Sequence, residues 1–330
     1  MRSVIYEGPR KLVLAERDVA EPRRGQVRVA VIAAGICGSD VHGYTGLNGR
    51  RAPGTVMGHE AVGIVDAVGP EVEAIEAGQP VVINPVVGCG RCPFCERGEA
   101  NLCPRRRLYG CTPVLPGAFA DFITVAQANA VPYGGHHLEL GALVEPLAVG
   151  VHAAAVGCVE PSHEVLVVGG GPIGLGTALA VRHRGATATI AEPSATRRGL
   201  AEALGFATLD PFASPPPVDS FHVAVETVGQ ERTLRAALDA LQPRGTLVFL
   251  ASAAEAVPMP VTPLSQSEKR IVGSSCYTSA EFTDTAVRVA LGEREVLSLI
   301  EHRVGYDGLH DAFESYAEHR LPAMKTLLVP

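Results

Sequence analysis

An apolar segment, a glycine-rich turn and a helical pattern follow one another in the middle of the chain, and this order constrains the fold more than any other feature. The pattern predicts a buried strand over Glu164–Val168, and the turn after it carries the G-x-G-x-x-G spacing at Gly169, Gly171 and Gly174. The first glycine would permit a tight turn, the second would let the backbone approach a pyrophosphate, and the third would let helix and strand pack closely. The turn therefore predicts a dinucleotide site at the start of a helix, where exposed amides complement phosphate charge.

Strands and helices continue to alternate after this turn. The sequence predicts helices over 173–183, 194–204 and 231–241, strands over 187–191, 221–225 and 246–250, and a surface loop at 214–217. Such alternation is typical of a parallel, doubly wound α/β sheet. Residues 1 to about 150 instead show short β-type runs broken by Gly and Pro, such as 27–32 and 61–68. Because 330 residues exceed what one hydrophobic core supports, we expect two domains with different patterns of secondary structure.

An acidic residue ends the strand that follows the glycine turn. Glu192 stands 18 positions after Gly174, where a carboxylate can accept hydrogen bonds from both adenosine ribose hydroxyls and repel a 2′-phosphate. This favours NAD over NADP. Arg197 and Arg198 follow closely and could serve the 2′-phosphate of NADP, or simply form a solvated helix face. The predicted cofactor-binding residues are Gly169, Gly171, Pro172, Ile173, Gly174, Glu192 and Arg197.

Composition excludes several classes of protein. The formal net charge of −7 argues against general nucleic-acid binding, which needs a basic face. No apolar run reaches the length that spans a bilayer, and the N-terminus has no apolar signal-peptide region. The eight cysteines are too few and too clustered for a secreted disulfide framework, and tight C-x-x-C spacing in a reducing compartment indicates metal binding. We therefore expect a cytoplasmic globular enzyme with no membrane or nucleic-acid partner.

Four cysteines lie within fifteen positions of one another. Their spacings are two, two and seven intervening residues, at Cys89, Cys92, Cys95 and Cys103. Cysteines are also common as small buried apolar residues, but four of them among Gly, Arg, Glu and Asn cannot all belong to a core. Four thiolates form a closed tetrahedral zinc site without an open position. The stretch therefore predicts a structural zinc ion that braces a loop and performs no chemistry.

A second set of candidate ligands is spread more widely. Cys37 follows a predicted strand, His59 precedes another, and Glu145 interrupts an apolar run where a carboxylate would be costly to bury without a partner. A thiolate, an imidazole and a carboxylate together suit a catalytic zinc ion that keeps one position open. Each of these residues alone is weak evidence for a metal site, because a single His before a strand more often has a structural role. Together with the four-cysteine loop they predict a catalytic metal site.

These motifs together resemble the medium-chain, zinc-dependent alcohol dehydrogenase family over essentially the whole chain. The Glu-Pro-Leu segment at Glu145 and the segment 273–282 resemble the sorbitol, threonine and butanediol dehydrogenase branch. The resemblance implies a GroES-like catalytic domain with two zinc sites over 1–150, a Rossmann domain over 151–276, and a return to the catalytic domain over 277–330. It also implies NAD(P), two zinc ions per chain and a homodimer or homotetramer.

The same resemblance implies a role for each matching residue. Cys37 and His59 match ligands of the catalytic zinc, and either Glu60 or Glu145 would complete the set. Asp40 matches a carboxylate that orients the zinc-binding His. Ser39 would accept the hydroxyl proton of the substrate and pass it, through the cofactor ribose, towards His42 near solvent. Ser39, His42 and Glu60 are thus the predicted catalytic residues.

The implied reaction is hydride transfer between a secondary alcohol and NAD(P), which gives the ketone. The alcohol could be a polyol, a sugar alcohol, a vicinal diol or an amino alcohol. One alternative is a zinc-free type of quinone or enone reductase on the same fold, which does not need Cys37, His59 and an acid together. Another is a non-catalytic homologue that only binds nucleotide. Metal analysis separates the three, because the dehydrogenase should hold two zinc ions per chain.

Overall fold

The computed structural model describes residues 1–47, 49, 51–251, 258–259, 261–292, 296–318, 320 and 323–330. The chain divides into two compact units by the proximity of its Cα atoms. The first unit comprises Met1–Glu145 together with Thr278–Pro330, and the second comprises Pro146–Tyr277.

The elements follow one another in the chain as short strands first and alternating strands and helices later. The strands are β1 Arg2–Gly8, β2 Lys11–Glu16, β3 Gln26–Gly35, β4 Thr55–Val56, β5 Glu60–Val68, β6 Pro80–Ile83, β7 Val86–Val87, β8 Arg107–Leu108, β9 Phe122–Ala126, β10 Ala130–Pro132, β11 Glu164–Val168, β12 Thr187–Ala191, β13 Ala207–Leu209, β14 Phe221–Glu226, β15 Leu241–Phe249, β16 Arg270–Gly273, β17 Ile300–Val304 and β18 Lys325–Leu328. The α-helices are α1 Gly38–Tyr44, α2 Pro93–Glu96, α3 Val144–Val156, α4 Pro172–His183, α5 Ala195–Ala203, α6 Glu231–Ala240, α7 Val261–Gln266, α8 Ser279–Leu291 and α9 Tyr306–Ala317. Short 3-10 helices lie at Ala100–Leu102, Gln127–Asn129, Leu138–Leu143 and Leu297–Leu299.

The first unit is built on a mixed sheet centred on β3. The strand order is β10-β6-β5-β3-β18-β17, with β9 also paired to β3. Alternate residues of β3, such as Val27 and Val29, are fully buried, as expected for a strand with one face on a core. The registers place Gly35 opposite Glu60 of β5 and opposite Leu327 of β18. Three distant segments of the chain therefore meet at the carboxyl end of β3.

The second unit contains a six-stranded parallel sheet in the order β13-β12-β11-β14-β15-β16, with every neighbouring pair parallel. This confirms the predicted α/β fold class with a doubly wound sheet. Two details differ from the sequence expectation. The short strand β13 precedes the proline-rich loop, and β15 begins at Leu241, where the helix was expected to end. Three residues of β13 are too few to produce a recognisable alternation of burial.

One helical segment corrects an expectation drawn from the sequence. Leu138–Val156 is 19 residues long with a mean hydropathy of 1.4, so by length and composition it could cross a membrane. The sequence shows no uninterrupted apolar run of that length because Glu139 and Glu145 divide it. In the structure, 72 % of the apolar window in this segment is buried inside the protein. Burial of that kind is what a core helix requires.

Candidate active site, structural metal centre and dinucleotide site

The pairing of β3 with β5 brings a thiol, an imidazole and a carboxylate together. Cys37 lies two residues beyond the end of β3 and is the N-cap of α1, while His59 and Glu60 stand at the start of β5. Because Gly35 pairs with Glu60, the three side chains converge at one end of the ladder, and their ligand atoms all lie within 4.8 Å of one another. Sulfur, nitrogen and oxygen donors of this kind fit zinc in a site that keeps an open position.

A buried carboxylate holds the imidazole of this set. Asp40 in α1 is completely buried, and its Oδ2 lies 3.3 Å from Nδ1 of His59. Its other oxygen, Oδ1, accepts a hydrogen bond of 3.0 Å from Arg51. Burial alone would raise the pKa of Asp40, but the charges of His59 and Arg51 lower it to about 2. The carboxylate is therefore ionised, and because Nδ1 of His59 faces it, the Nε2 atom is the nitrogen left for a metal ion.

The carboxylate of Glu60 has a cationic partner that the sequence analysis missed. Nζ of Lys325 lies 2.8 Å from Oε1 and 2.6 Å from Oε2 of Glu60, and it also donates to the carbonyl of Ile36 at 3.2 Å. Both charged side chains are essentially inaccessible to solvent. Burial lowers the pKa of Lys325, but the negative charges of Glu60 and Cys37 outweigh it and raise the pKa. Glu60 thus contributes to the ligand set as one half of a buried ion pair.

The two residues predicted to carry the proton lie on α1. The hydroxyl of Ser39 donates to Sγ of Cys37 at 3.4 Å, so it lies directly beside the ligand set. His42 is one turn further along the same helix, and both side chains are exposed. Residues three positions apart share a helix face, which puts the hydroxyl and the imidazole side by side.

Glu145 lies in a different place from Glu60. It is 7 % exposed and occupies the first turn of α3, immediately before Pro146. Among the residues that the structure describes, the converging ligand atoms belong to Cys37, His59 and Glu60, and Glu145 is outside that group. The two carboxylates proposed as alternatives from the sequence are therefore not equivalent in position.

The four-cysteine stretch forms a compact lobe closed by two short strands. β7 leads into the lobe and β8 leads out of it, and the two pair antiparallel. The four sulfur atoms all lie within 4.8 Å of one another. Backbone amides of Cys89 and Arg105 donate to Sγ of Cys103 at 3.3 and 3.4 Å. The backbone of Arg91 and the side chain of Arg105 lower the pKa of Cys89 to about 6, which favours a thiolate. The donor set fits a structural zinc ion.

The glycine turn has the geometry that a dinucleotide requires. Gly169 has a φ of +100°, which only glycine adopts readily, and a Cβ there would lie 2.4 Å from Oγ1 of Thr227. A Cβ at Gly174 would lie 1.8 Å from the carbonyl oxygen of Gly169, so helix and strand touch at that point. A Cβ at Gly171 would meet nothing within 4 Å, which leaves open space beside the N-terminus of α4. That space fits a pyrophosphate.

The predicted ribose ligand lines a cavity at the carboxyl ends of β11, β12 and β14. Glu192 is 5 % exposed and accepts hydrogen bonds from the amides of Gly170 at 2.7 Å and Ser194 at 2.8 Å. Nη1 of Arg197 is 4.0 Å from Oε2 of Glu192, and both residues line the cavity of about 420 Å³. Arg198 instead donates to the carbonyls of Glu192 and Pro193. Of the two arginines, Arg197 is the one beside the space for the cofactor.

Lys325 and Arg51 are the functional residues that sequence reasoning missed. Both are buried charged residues: Lys325 pairs with the candidate ligand Glu60, and Arg51 pairs with Asp40, which faces the candidate ligand His59. The signal for Lys325 is a lone charged residue in the segment 323–329, where every other residue except Thr326 is apolar, in a chain with only three lysines. Arg51 carries no comparable signal, because it stands in a polar, glycine-rich stretch typical of a solvated loop.

Comparisons with known proteins agree over both units. The model of the alcohol dehydrogenase GroES-like domain matches residues 23–135, and that of the zinc-binding dehydrogenase family matches residues 172–291. L-Idonate 5-dehydrogenase of Vitis vinifera is 32 % identical over 88 % of this chain and 84 % of its own. Human sorbitol dehydrogenase is 30 % identical over 95 % and 92 %, and L-galactonate-5-dehydrogenase of Escherichia coli K12 is 27 % identical over 95 % and 94 %.

Solved structures give the same result. Galactitol-1-phosphate dehydrogenase from Escherichia coli superposes with a TM-score of 0.91 at 27 % identity, covering 100 % of both chains. A zinc-binding dehydrogenase from Sinorhizobium meliloti 1021, bound to NADP, has a TM-score of 0.91 at 29 % identity over 100 % and 99 % of the chains. An Escherichia coli CFT073 short chain alcohol dehydrogenase complexed with NADH has a TM-score of 0.89 at 26 % identity over 100 % and 99 %.

The chain belongs to the zinc-dependent alcohol dehydrogenase family, in the branch that resembles the polyol dehydrogenases. The family and the fold class predicted from the sequence are confirmed. The predicted class of reaction, zinc-dependent oxidoreduction of an alcohol with a nicotinamide dinucleotide, is confirmed with them.

Proposed function

We propose that this enzyme oxidises a secondary hydroxyl group of a polyhydroxylated small molecule to the ketone, with NAD as the preferred cofactor. The observation that carries the proposal is the convergence of one thiol, one imidazole and one carboxylate, at Cys37, His59 and Glu60, within 4.8 Å. This donor set is suited to a zinc ion with one position for substrate.

The metal ligands are Cys37, His59 and a glutamate. A bound zinc ion supplies a Lewis acid that lowers the pKa of an alcohol hydroxyl. Glu60 is the better candidate for the third ligand because its carboxylate faces the other two, while Glu145 remains the alternative proposed from the sequence. Lys325 holds both oxygens of Glu60, so this carboxylate must share its charge between the lysine and the metal.

Ser39 and His42 carry the substrate proton. The Ser39 hydroxyl donates to Sγ of Cys37 and so lies beside the candidate ligand set. Ser39 would accept the substrate proton while giving up its own, through the cofactor ribose, to the exposed imidazole of His42 on the same helix face, which would release a proton to solvent. A nicotinamide cofactor, when bound, would supply the acceptor for the hydride.

The cofactor is held by the glycine turn and Glu192. Gly171 leaves space that would take the pyrophosphate at the start of α4, and Glu192 would accept hydrogen bonds from the ribose hydroxyls. The buried carboxylate would repel a 2′-phosphate, which supports NAD as the better substrate. Arg197 beside it would allow slower turnover with NADP.

The substrate is a linear polyol, a sugar alcohol or the corresponding sugar acid. Relatives named for one sugar alcohol, sorbitol, and for two sugar acids, L-idonate and L-galactonate, span nearly the whole chain. Two zinc ions per chain complete the enzyme, one in each of the metal-binding sets. We further propose a cytoplasmic homo-oligomer, because none of the eight cysteines is joined in a disulfide, and because β16 is the last strand of the parallel sheet among the described residues, at an edge that a second copy could cover.

A substrate panel tests the proposal. Purified protein is loaded with zinc and incubated with polyols, sugar alcohols, sugar acids, vicinal diols and amino alcohols, each with NAD and with NADP, while the absorbance of the reduced nicotinamide is followed. We expect turnover of at least one polyol or sugar acid, faster with NAD. Turnover of quinones or enones with NADPH in metal-free protein, and of no alcohol, would contradict the proposal.

A further inference from the structure

Arg51 is buried beside the metal ligands without touching them. Its side chain is 4 % exposed, and Nη2 donates to Oδ1 of Asp40 at 3.0 Å. The other oxygen of Asp40 faces Nδ1 of His59 at 3.3 Å. One carboxylate therefore joins the arginine on one side to the metal-binding histidine on the other. Nε of Arg51 is also buried, and no residue that the structure describes pairs with it.

The fold makes room for this arginine. Gly43 is the last residue but one of α1. A Cβ at Gly43 would lie 2.3 Å from Cγ of Arg51, so the arginine stem passes where any other side chain would begin. The helix that carries Ser39, Asp40 and His42 is therefore shaped around Arg51. A solvated loop arginine would need no such space.

The guanidinium is placed to fix the carboxylate and not to bind substrate. It is desolvated and already paired, so a substrate carboxylate would have to displace Asp40. A planar guanidinium holds a carboxylate oxygen in one geometry, whereas an ammonium is only a point charge. Groups behind a metal ligand set its orientation, and their loss typically weakens metal binding by about 10–100-fold.

We propose that Arg51 is a positioning residue of the metal site, which acts through Asp40 to hold His59 with Nε2 directed at the ion. The inference rests on the proposed function, since it presupposes a metal ion on Cys37 and His59. Three residues then stand in series behind the metal ion: His59 binds the ion, Asp40 orients His59, and Arg51 orients Asp40.

Cobalt(II) placed in the Cys37–His59 site, with zinc kept in the four-cysteine lobe, gives a readout besides activity. Its visible absorption reports the geometry of the thiolate and imidazole donors, and its loss to a chelator gives a dissociation rate. We expect Arg51→Met to shift the absorption band and to release cobalt about tenfold faster, with Arg51→Lys intermediate. Arg2→Gln is the matched control, because Arg2 also pairs with a carboxylate, Asp121, but on the exposed surface. It should change neither quantity.

A double-mutant cycle tests whether Arg51 acts through Asp40. In an Asp40→Asn background, the effect of Arg51→Met on cobalt release should fall to less than about twofold, because Arg51 then has no carboxylate through which to act on His59. An unshifted band and an unchanged release rate in both Arg51 variants would overturn the inference, as would a tenfold effect that persists in the Asp40→Asn background. Should Arg51→Met fail to fold, the Arg51→Lys variant carries the same comparison.

Measurements on the wild-type protein distinguish this inference from the proposed function on which it rests. Uptake of cobalt by the wild type, together with alcohol oxidation, supports the proposed function whatever the Arg51 variants do. Failure of the wild type to bind any metal beyond the four-cysteine site would overturn the proposed function and the inference together.

Discussion

Nζ of Lys325 lies 2.6 and 2.8 Å from the two carboxylate oxygens of Glu60, and the two residues are separated by 265 positions in the chain. The pair is buried because β18 and β5 flank β3 on opposite sides, so both strands meet at its carboxyl end. A buried ion pair is not in itself a source of stability, but removal of one partner leaves an uncompensated charge. Stability and metal binding are therefore linked at this point.

Substitution of Lys325 tests that link. We expect Lys325→Met to destabilise the protein by about 3–5 kcal/mol, because the charge of Glu60 stays buried beside Cys37 without its cation. Thermal unfolding of the zinc-loaded protein measures the loss. Adding Glu60→Gln should restore part of the stability but not the activity. Lys11→Met, which removes an exposed partner of Glu7, should change stability by less than about 1 kcal/mol. Equal effects of the two lysine substitutions would contradict the role of the buried pair.

Local patterns in the sequence were sufficient for some parts of the fold and not for others. The strand Glu164–Val168 and the helix after it were predicted closely, since periodicity and glycine spacing are local signals. The convergence of Cys37 and His59 was predicted from their residue types beside the four-cysteine loop and from the family resemblance, because the register of β3 with β5 is not readable from either strand alone. Lys325 and Arg51 were missed for the same reason: their partners lie in other segments, and no local pattern distinguishes a buried charge from a solvated one.

Removal of the Ser39 hydroxyl tests the proton path. We expect Ser39→Ala to lower kcat by about 100-fold or more, because the substrate proton loses its acceptor, while the zinc content stays at two per chain. Steady-state kinetics and metal analysis of the same preparation give both values. Ser265→Ala, which removes a hydroxyl bonded to Thr262 in α7, serves as the control. A Ser39→Ala enzyme with wild-type kcat would show that another group accepts the proton.

Loss of the zinc ion from the four-cysteine lobe should lower the stability of the protein more than its catalytic turnover. Cys95→Ser is expected to reduce the zinc content from two ions to one and to lower the unfolding temperature, since structural zinc contributes directly to folding. Turnover per remaining zinc ion should stay within a few-fold of the wild type. Cys158 is an exposed free thiol, so Cys158→Ser should change none of these quantities. A Cys95→Ser protein that keeps both zinc ions and loses activity would place the lobe in the chemistry.

Glu192 should set the choice between NAD and NADP. Glu192→Gln keeps an oxygen for the amide of Gly170 but removes the charge that opposes a 2′-phosphate. We expect the ratio of kcat/KM for NADP to that for NAD to rise about tenfold, which corresponds to about 1.4 kcal/mol. Arg197→Ala should lower the ratio of kcat/KM for NADP to that for NAD. Arg198→Ala removes hydrogen bonds to the backbone of the local turn, and where that variant folds normally the ratio should be unchanged. An unaltered ratio in Glu192→Gln would exclude the carboxylate as the determinant.

Two glycines of one turn should separate cofactor binding from folding. A methyl group at Gly174 would lie 1.8 Å from the carbonyl oxygen of Gly169, so Gly174→Ala should push helix α4 from β11 and destabilise the protein by about 1–3 kcal/mol or more. A methyl group at Gly171 would meet no protein atom within 4 Å, so Gly171→Ala should fold normally. It should nevertheless weaken dinucleotide binding at least tenfold, because the methyl group occupies the space that the pyrophosphate needs. Calorimetric titration with NADH and thermal unfolding measure the two effects separately. Normal NADH affinity in Gly171→Ala would mean that the pyrophosphate lies elsewhere.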